Sequence, residues 1–262
     1  MSALEFRGVR VTYGHGRSAQ LAVDGVDLTV RSGTTHGLVG ESGSGKSTLA
    51  RVAVGLAAAR SGTVTLDGAD ITGRSAAARA ARRRVQMVFQ DPLAALDPRM
   101  PVGLSVAEGL LATGQRLSRT DREARVHALL DRVHVDPRRA GELPATFSGG
   151  QRQRITIARA LAADPAVLIA DEITSALDVS VQGVVLNLLR ELRQDLSLTM
   201  LFISHNLAVV RYVSDEVTVM RAGRVVEHGP TEDVLAAPDD DYTQELLRSV
   251  PIMGQPLDLE DA

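Results

Sequence analysis

The sequence predicts an α/β fold built on a mainly parallel sheet covered on both faces. Three observations carry this. Short apolar runs alternate with helical stripes through the second half of the chain. A phosphate-loop pattern, Gly40-xxxx-Gly45-Lys46-Ser47, sits between an apolar run and a helix, the context that pattern requires. The chain has 262 residues, 44% of them hydrophobic and 23% charged, which is ordinary globular composition and long enough for a full core.

That composition excludes a disordered chain, a collagen and a coiled coil. No run approaches the ~18 apolar residues of a membrane span. The opening stretch lacks the basic head and long apolar run of a secretory signal, so the chain is expected to stay in the cytoplasm. With no cysteine there is no disulfide, thiolate zinc site or cysteine-ligated cluster. A net charge of −3, three tyrosines, four phenylalanines and no tryptophan argue against a nucleic-acid partner.

In chain order, Leu4, Phe6, Val9 and Val11 read as a strand with an irregularity near Gly8. Val26, Leu28 and Val30 alternate with Asp27 and Thr29, a half-buried strand. His36 to Val39 is a short apolar strand that runs into the glycine-rich loop, and Leu49, Val52 and Ala53 mark the helix after it. Val64 and Leu66 precede Asp67-Gly68, a hairpin-type turn. Val85 to Phe89 reads as a strand, so the first 90 or so residues are strand-rich with one helix. Arg82-Arg83-Arg84 reads as a solvated helix end. Residues 93–160 read as a helical insert: Thr120-Asp121-Arg122-Glu123 has capping-box spacing, and Val126, Leu129, Leu130 and Val133 form an amphipathic stripe. Beyond it come a buried strand, Val167 to Ala170, ending in Asp171-Glu172, and a helix with the stripe Val181, Val184, Val185, Leu188, Leu189 and Leu192. Leu198 to Ile203 is a strand ending at Ser204-His205. Glu216 to Met220 and Arg224 to Glu227 form a hairpin around Ala222-Gly223. The acidic stretch from Pro238, with Asp239-Asp240-Asp241 and Glu260-Asp261, reads as a fraying tail.

The loop's chemistry follows from its residues. Glycines let backbone N–H groups curl around phosphates at the positive end of the following helix. Lys46 offers a point charge to the β- and γ-phosphates, and Ser47 a hydroxyl to Mg²⁺. Of 29 Lys and Arg residues Lys46 is the sole lysine, so a compact ammonium stands where every other basic position uses arginine. Asp171, at the end of a buried strand, is a second Mg²⁺ ligand. Glu172 is placed to orient or deprotonate an attacking water.

Phe147-Ser148-Gly149-Gly150-Gln151, followed by Arg152-Gln153-Arg154, resembles the signature of the ATP-binding-cassette (ABC) ATPases, and the resemblance covers essentially the whole chain. It implies a phosphate-loop core with an N-terminal antiparallel β subdomain and a helical insert, all in one nucleotide-binding domain: residues 1–92 and 161–235 for the β subdomain and core, 93–160 for the signature subdomain, 236–262 for the tail. It implies ATP and Mg²⁺ as cofactors. Gly40, Ser42, Gly43, Ser44, Gly45, Lys46, Ser47 and Thr48 would hold the nucleotide, with Tyr13 stacked on adenine. Gln90 would contact Mg²⁺ and the membrane partner. Asp178 lies in a D-loop-like segment, and His205 resembles the switch histidine at the γ-phosphate. Glu172, His205, Gln90 and Lys46 make up the implied catalytic set; Ser148, Gly149, Gly150 and Gln151 would face the nucleotide of a second cassette. Two departures stand out. Phe147 replaces the usual leucine but keeps an apolar anchor. Ile173 replaces the usual proline, leaving an extra N–H and more freedom beside Glu172.

Within the family, Val88 to Pro92, Leu96 to Met100 and Tyr242 to Pro251 look like the peptide/nickel importer group. The resemblance then implies an ATPase on the cytoplasmic face of the membrane, energising uptake of peptides or a related solute such as nickel. Its partners would be two transmembrane permease subunits, a second and different cassette chain, and indirectly an extracytoplasmic solute-binding protein. The alternatives are a soluble ABC ATPase acting on ribosomes or DNA, and an exporter cassette. The first predicts a second cassette or a long coiled coil in the chain, and neither is visible.

Overall fold

The structure is a computed structural model that describes residues 4–14 and 19–248. Its first half comprises β1 (Leu4–Tyr13), β2 (Gln20–Val30), β3 (Thr35–Val39), α1 (Lys46–Ala53), β4 (Ser61–Leu66), β5 (Ala69–Asp70), α2 (Ala76–Arg82) and β6 (Val85–Val88). Strands β2, β1, β4 and β5, in that spatial order, form an antiparallel sheet. The register of β1 against β2 slips between Phe6 and Val9, the irregularity expected near Gly8. There the Gly8 N–H leaves the ladder and donates to the Asp27 carboxylate at 2.7 Å.

This half holds a second helix that the sequence reading lacks. In α2 only Ala78 is buried, so there is no apolar stripe to read; the Ser75 hydroxyl caps it by accepting from the Ala78 N–H at 3.0 Å. Arg82 is no idle solvated charge either. Its guanidinium donates to the carbonyls of Ile71 (2.9 and 2.6 Å) and Gly73 (2.6 Å), pinning the turn before α2.

The middle of the chain is helical: α3 (Pro92–Ala95), α4 (Val102–Leu111), α5 (Arg119–Arg132), 3₁₀ turns at Pro137–Gly141 and Pro144–Thr146, then α6 (Gly149–Ala162). The cap of α5 is Ser118, two residues earlier than the capping-box spacing suggests; its hydroxyl accepts from the Asp121 N–H at 3.1 Å. A true capping box opens α6, where the Ser148 hydroxyl accepts from the Gln151 N–H and the Gln151 side chain accepts from the Ser148 N–H.

Then follow β7 (Val167–Asp171), α7 (Val179–Leu196), β8 (Thr199–Ile203), α8 (Leu207–Val213), β9 (Glu216–Arg221), β10 (Arg224–Pro230), α9 (Thr231–Ala236) and α10 (Asp241–Arg248). The second sheet has the order β10-β9-β3-β8-β7-β6; all are parallel except β10, which closes the edge antiparallel to β9. Alternate residues of each strand enter different cores. Leu168, Ala170, Met200 and Phe202 pack with helices α4 to α8, whereas Val167, Ile169, Leu201 and Ile203 pack with α1 and the antiparallel sheet. Both faces are buried, hence the unbroken apolar runs in the sequence. On α7 the stripe is shifted: Val184 is 48% exposed and Leu186 is buried in its place. The acidic stretch after Pro238 is ordered rather than frayed up to Arg248, with Tyr242 and Thr243 of α10 buried. Glu260, Asp261 and the end of the Tyr242 to Pro251 segment lie outside the described residues.

Candidate active site

The ends of three parallel strands converge. Leu38 of β3 is in register with Ile203 of β8, and Ile203 with Asp171 of β7. The residues just beyond them (Gly40, Glu172 and His205) therefore emerge at one level, on the side of the sheet where open α/β folds bind ligands. Gly40 and Gly45 shape the loop after β3. Both have positive φ, 145° and 103°. A Cβ at Gly40 would collide with the Met220 carbonyl, and one at Gly45 with the Ala22 carbonyl. Only glycine fits either place, and the loop is wedged between β9 and β2.

Lys46 opens α1 and is 3% exposed. Its ammonium donates to the carbonyls of Gly40 and Glu41, both at 2.7 Å, and to the Ser44 hydroxyl at 3.2 Å. All three donors are satisfied, so the charge is fixed inside the loop. Burial pushes its pKa down, opposed by the charges of Glu172, Asp171 and Glu41. Ser47 donates its hydroxyl to Asp171 Oδ1 at 2.8 Å, across 124 residues of sequence. Burial pushes the Asp171 carboxyl up, with the Ser47 hydrogen bond opposing and the Glu172 charge adding to the rise. Two hard oxygens held together suit Mg²⁺. Among the described residues no group of three or more His, Asp or Glu could hold a metal alone.

Glu172 has φ +49°, a conformation uncommon outside glycine. Its N–H extends the ladder to the Ile203 carbonyl at 3.0 Å, and its own carbonyl accepts from the Ser175 N–H at 3.1 Å and hydroxyl at 2.8 Å. Its carboxylate lies 3.5 Å from His205 Nδ1. Ile173 is 2% exposed in the core. Its apolar anchorage replaces the restraint of a proline, so the loop is tethered on both sides of Glu172 despite the extra N–H. Gln90 donates to the Ser175 hydroxyl at 2.9 Å, which in turn donates to the Glu172 carbonyl. That relay through Ser175 is a link the sequence reading does not contain.

The remaining sequence-predicted residues sit as follows. Tyr13 is 45% exposed and pairs with Gln20 at the end of the ladder whose Ala22 abuts Gly45. Ser42, Gly43, Ser44 and Thr48 belong to the loop and the first turn of α1. Asp178 stands at the N-cap of α7 without a side-chain cap bond. Ser148, Gly149, Gly150 and Gln151 start α6. A Cβ at Gly149 would touch Leu177, and one at Gly150 would strike Val181. Among the described residues the Ser148 and Gln151 side chains bond to each other's backbone, and no hydrogen bond joins them to the phosphate loop of their own chain.

The sequence profile of the ABC transporter family matches residues 23–175. A putative peptide import ATP-binding protein of Brucella abortus is 52% identical over 238 residues, covering 90% of this chain and 71% of that protein. The oligopeptide transport ATP-binding protein OppF of Bacillus subtilis is 43% identical over 251 residues, 95% of this chain and 82% of that one. The oligopeptide transport ATP-binding protein OppD of Mycobacterium tuberculosis is 49% identical over 231 residues, 88% of this chain but 37% of that one. Among solved structures, the dimeric ATP-binding cassette MJ0796 bound to ADP and Pi superposes with a TM-score of 0.77 at 27% identity, covering 87% of this chain and 98% of that one. The cassette cbiO1 of Clostridium perfringens, part of the ABC transporter complex cbiONQ, gives 0.78 at 28%, covering 89% and 90%. With the loop, the acidic strand end and the helical segment arranged as described, the chain belongs to the ABC transporter family, as one of its ATPase cassettes.

Proposed function

We propose that the chain is the ATP-hydrolysing subunit of an importer for di- and oligopeptides or a related solute such as nickel. The observation that carries the chemistry is the 2.8 Å bond between Ser47 and Asp171, which brings the phosphate loop and the acidic strand end into one site. Lys46 binds the β- and γ-phosphates, and Ser47 and Asp171 hold Mg²⁺, which neutralises phosphate charge when bound. Gln90 reaches the same metal and Tyr13 stacks on adenine. Glu172 takes the proton from water, and His205, 3.5 Å away, faces the γ-phosphate. The names of the similar Brucella and Bacillus proteins support peptide as the solute.

No helix among the described residues is long and apolar enough to cross a membrane. The importer reading assigns the solute path to two permease subunits, with the cassette on their cytoplasmic face. A groove of about 740 Å³, lined by Met87, Phe89, Leu96, Met100 and Glu108, lies beside Gln90 and receives a permease helix. The helical segment 93–160 acts as the signature subdomain. Its Ser148 to Gln151 face completes the nucleotide site of a second, different cassette, and a solute-binding protein delivers the solute to the far side. The test is reconstitution with the permeases and second cassette in vesicles. Labelled peptide should accumulate only with Mg-ATP on the cassette side. Hydrolysis without peptide accumulation would refute the peptide reading and leave the ATPase reading standing.

A further inference from the structure

Tyr242 lies 201 residues from the phosphate loop in sequence, yet it touches that loop. The Glu41 N–H donates to its hydroxyl at 2.9 Å. The tyrosine is 2% exposed, and the Arg221 guanidinium covers its ring 4.6 Å from the centroid. The Glu227 carboxylate of β10 accepts the N–H groups of Asp239 (2.9 Å) and Asp240 (3.3 Å), which fixes the start of α10. A neighbouring bond runs from the Gly223 N–H to the Ser44 carbonyl at 2.9 Å. The outer wall of the loop is thus built by the C-terminal elements.

The geometry of one peptide unit gives this contact its consequence. In the trans Gly40–Glu41 peptide the C=O and N–H point in opposite directions. The carbonyl faces inward and accepts from Lys46; the N–H faces outward and donates to Tyr242. The unit is pinned at both edges. If Lys46 gives one of its three donors to a phosphate at the expense of the Gly40 carbonyl, the inner pin weakens. Gly40 has no Cβ to resist rotation of the unit, so the Tyr242 hydroxyl is the hydrogen-bonded restraint on its outer edge.

We propose that Tyr242 is a positioning residue for nucleotide binding, its hydroxyl holding the Gly40–Glu41 peptide in the orientation that shapes the phosphate loop. The proposal rests on the loop being the ATP site. Tyr242→Phe keeps the ring under Arg221 and removes only the hydroxyl. Calorimetric titration with Mg-ATP should show binding about tenfold weaker than wild type, the scale of one hydrogen bond with a stranded partner. In the reconstituted complex KM for ATP should rise with kcat within about twofold, since Glu172 and His205 are untouched. A merely structural tyrosine would lower the melting temperature of Tyr242→Phe and leave its Mg-ATP affinity at the wild-type value; that result overturns the proposal. Failure of the wild-type chain itself to bind Mg-ATP would instead refute the site reading. A second measurement needs neither variant nor nucleotide. In the free wild-type protein the Glu41 amide should exchange with deuterium at least about tenfold more slowly than an unprotected amide, and exchange at the unprotected rate would equally sink the claim.

Discussion

At the scale of single residues the site is a balance of buried charges. Lys46 is held by two carbonyls and a hydroxyl at 2.7 to 3.2 Å, close around a compact ammonium. A planar guanidinium cannot reproduce it. Lys46→Arg should therefore abolish Mg-ATP binding although arginine serves every other basic position; titration with an affinity near wild type would refute this. Asp171 has the opposite character. Its carboxyl pKa is raised by burial, so the folded state holds the proton more tightly than the unfolded chain. This group's contribution is most favourable below its unfolded pKa, is lost as pH rises through the higher folded pKa, and is a cost above it. Asp171→Asn keeps an acceptor for Ser47 and removes that cost. The nucleotide-free variant should melt higher than wild type at neutral pH, with the gain shrinking as the pH is lowered, while Mg-ATP binding weakens. A lower melting point at every pH would show that the charge itself holds the loop to β7. These residues were legible because the motif fixes residue type and spacing together. The Tyr242 contact was not, since a hydroxyl accepting one backbone N–H leaves no local pattern.

At the scale of elements, legibility followed burial. The strands of the parallel sheet are covered on both faces and read as apolar runs. The helix α8 has 7 residues, α9 has 6 and α10 has 8, too short to show a period. The acidic run before α10 looked like a tail because the acceptor that orders it, Glu227, comes from a strand 12 residues earlier. The start of α5 shows how close spacing can mislead: Ser118 caps it, and Thr120 lies inside the first turn. Ser118→Ala should cost about 1 kcal/mol of stability, the usual worth of an N-cap, whereas Thr120→Ala should be neutral or stabilising by a few tenths. Denaturant unfolding of the two variants decides it, and equal losses would remove Ser118 as the cap.

At the scale of the whole molecule, the strand-end site and the signature-like segment are held by different contacts. Lys46, Ser47, Asp171, Glu172 and His205 gather at the strand ends, whereas the Ser148 to Gln151 segment opens α6 beside Leu177 and Val181. Under the proposed two-cassette reading, in which a second cassette brings its own signature segment to this nucleotide, hydrolysis by one chain alone should be slow. Glu172 allows the consequence to be isolated. Its backbone is tied to Ile203 and Ser175, so exchange of its carboxylate for an amide leaves the loop in place. Glu172→Gln keeps the size and one acceptor oxygen but cannot take a proton. It should bind Mg-ATP as wild type does, since Lys46, Ser47 and Asp171 are unchanged, and turn it over ~10²–10⁴ times more slowly, the range for loss of a general base. If bound ATP bridges two cassettes and its loss reopens them, the slow variant is trapped closed. Mixed with a partner cassette carrying the matching change, it should elute as a pair in Mg-ATP and as monomers without nucleotide. Turnover within a few-fold of wild type would show that another group activates the water; His205, 3.5 Å from the Glu172 carboxylate, would be the first to test.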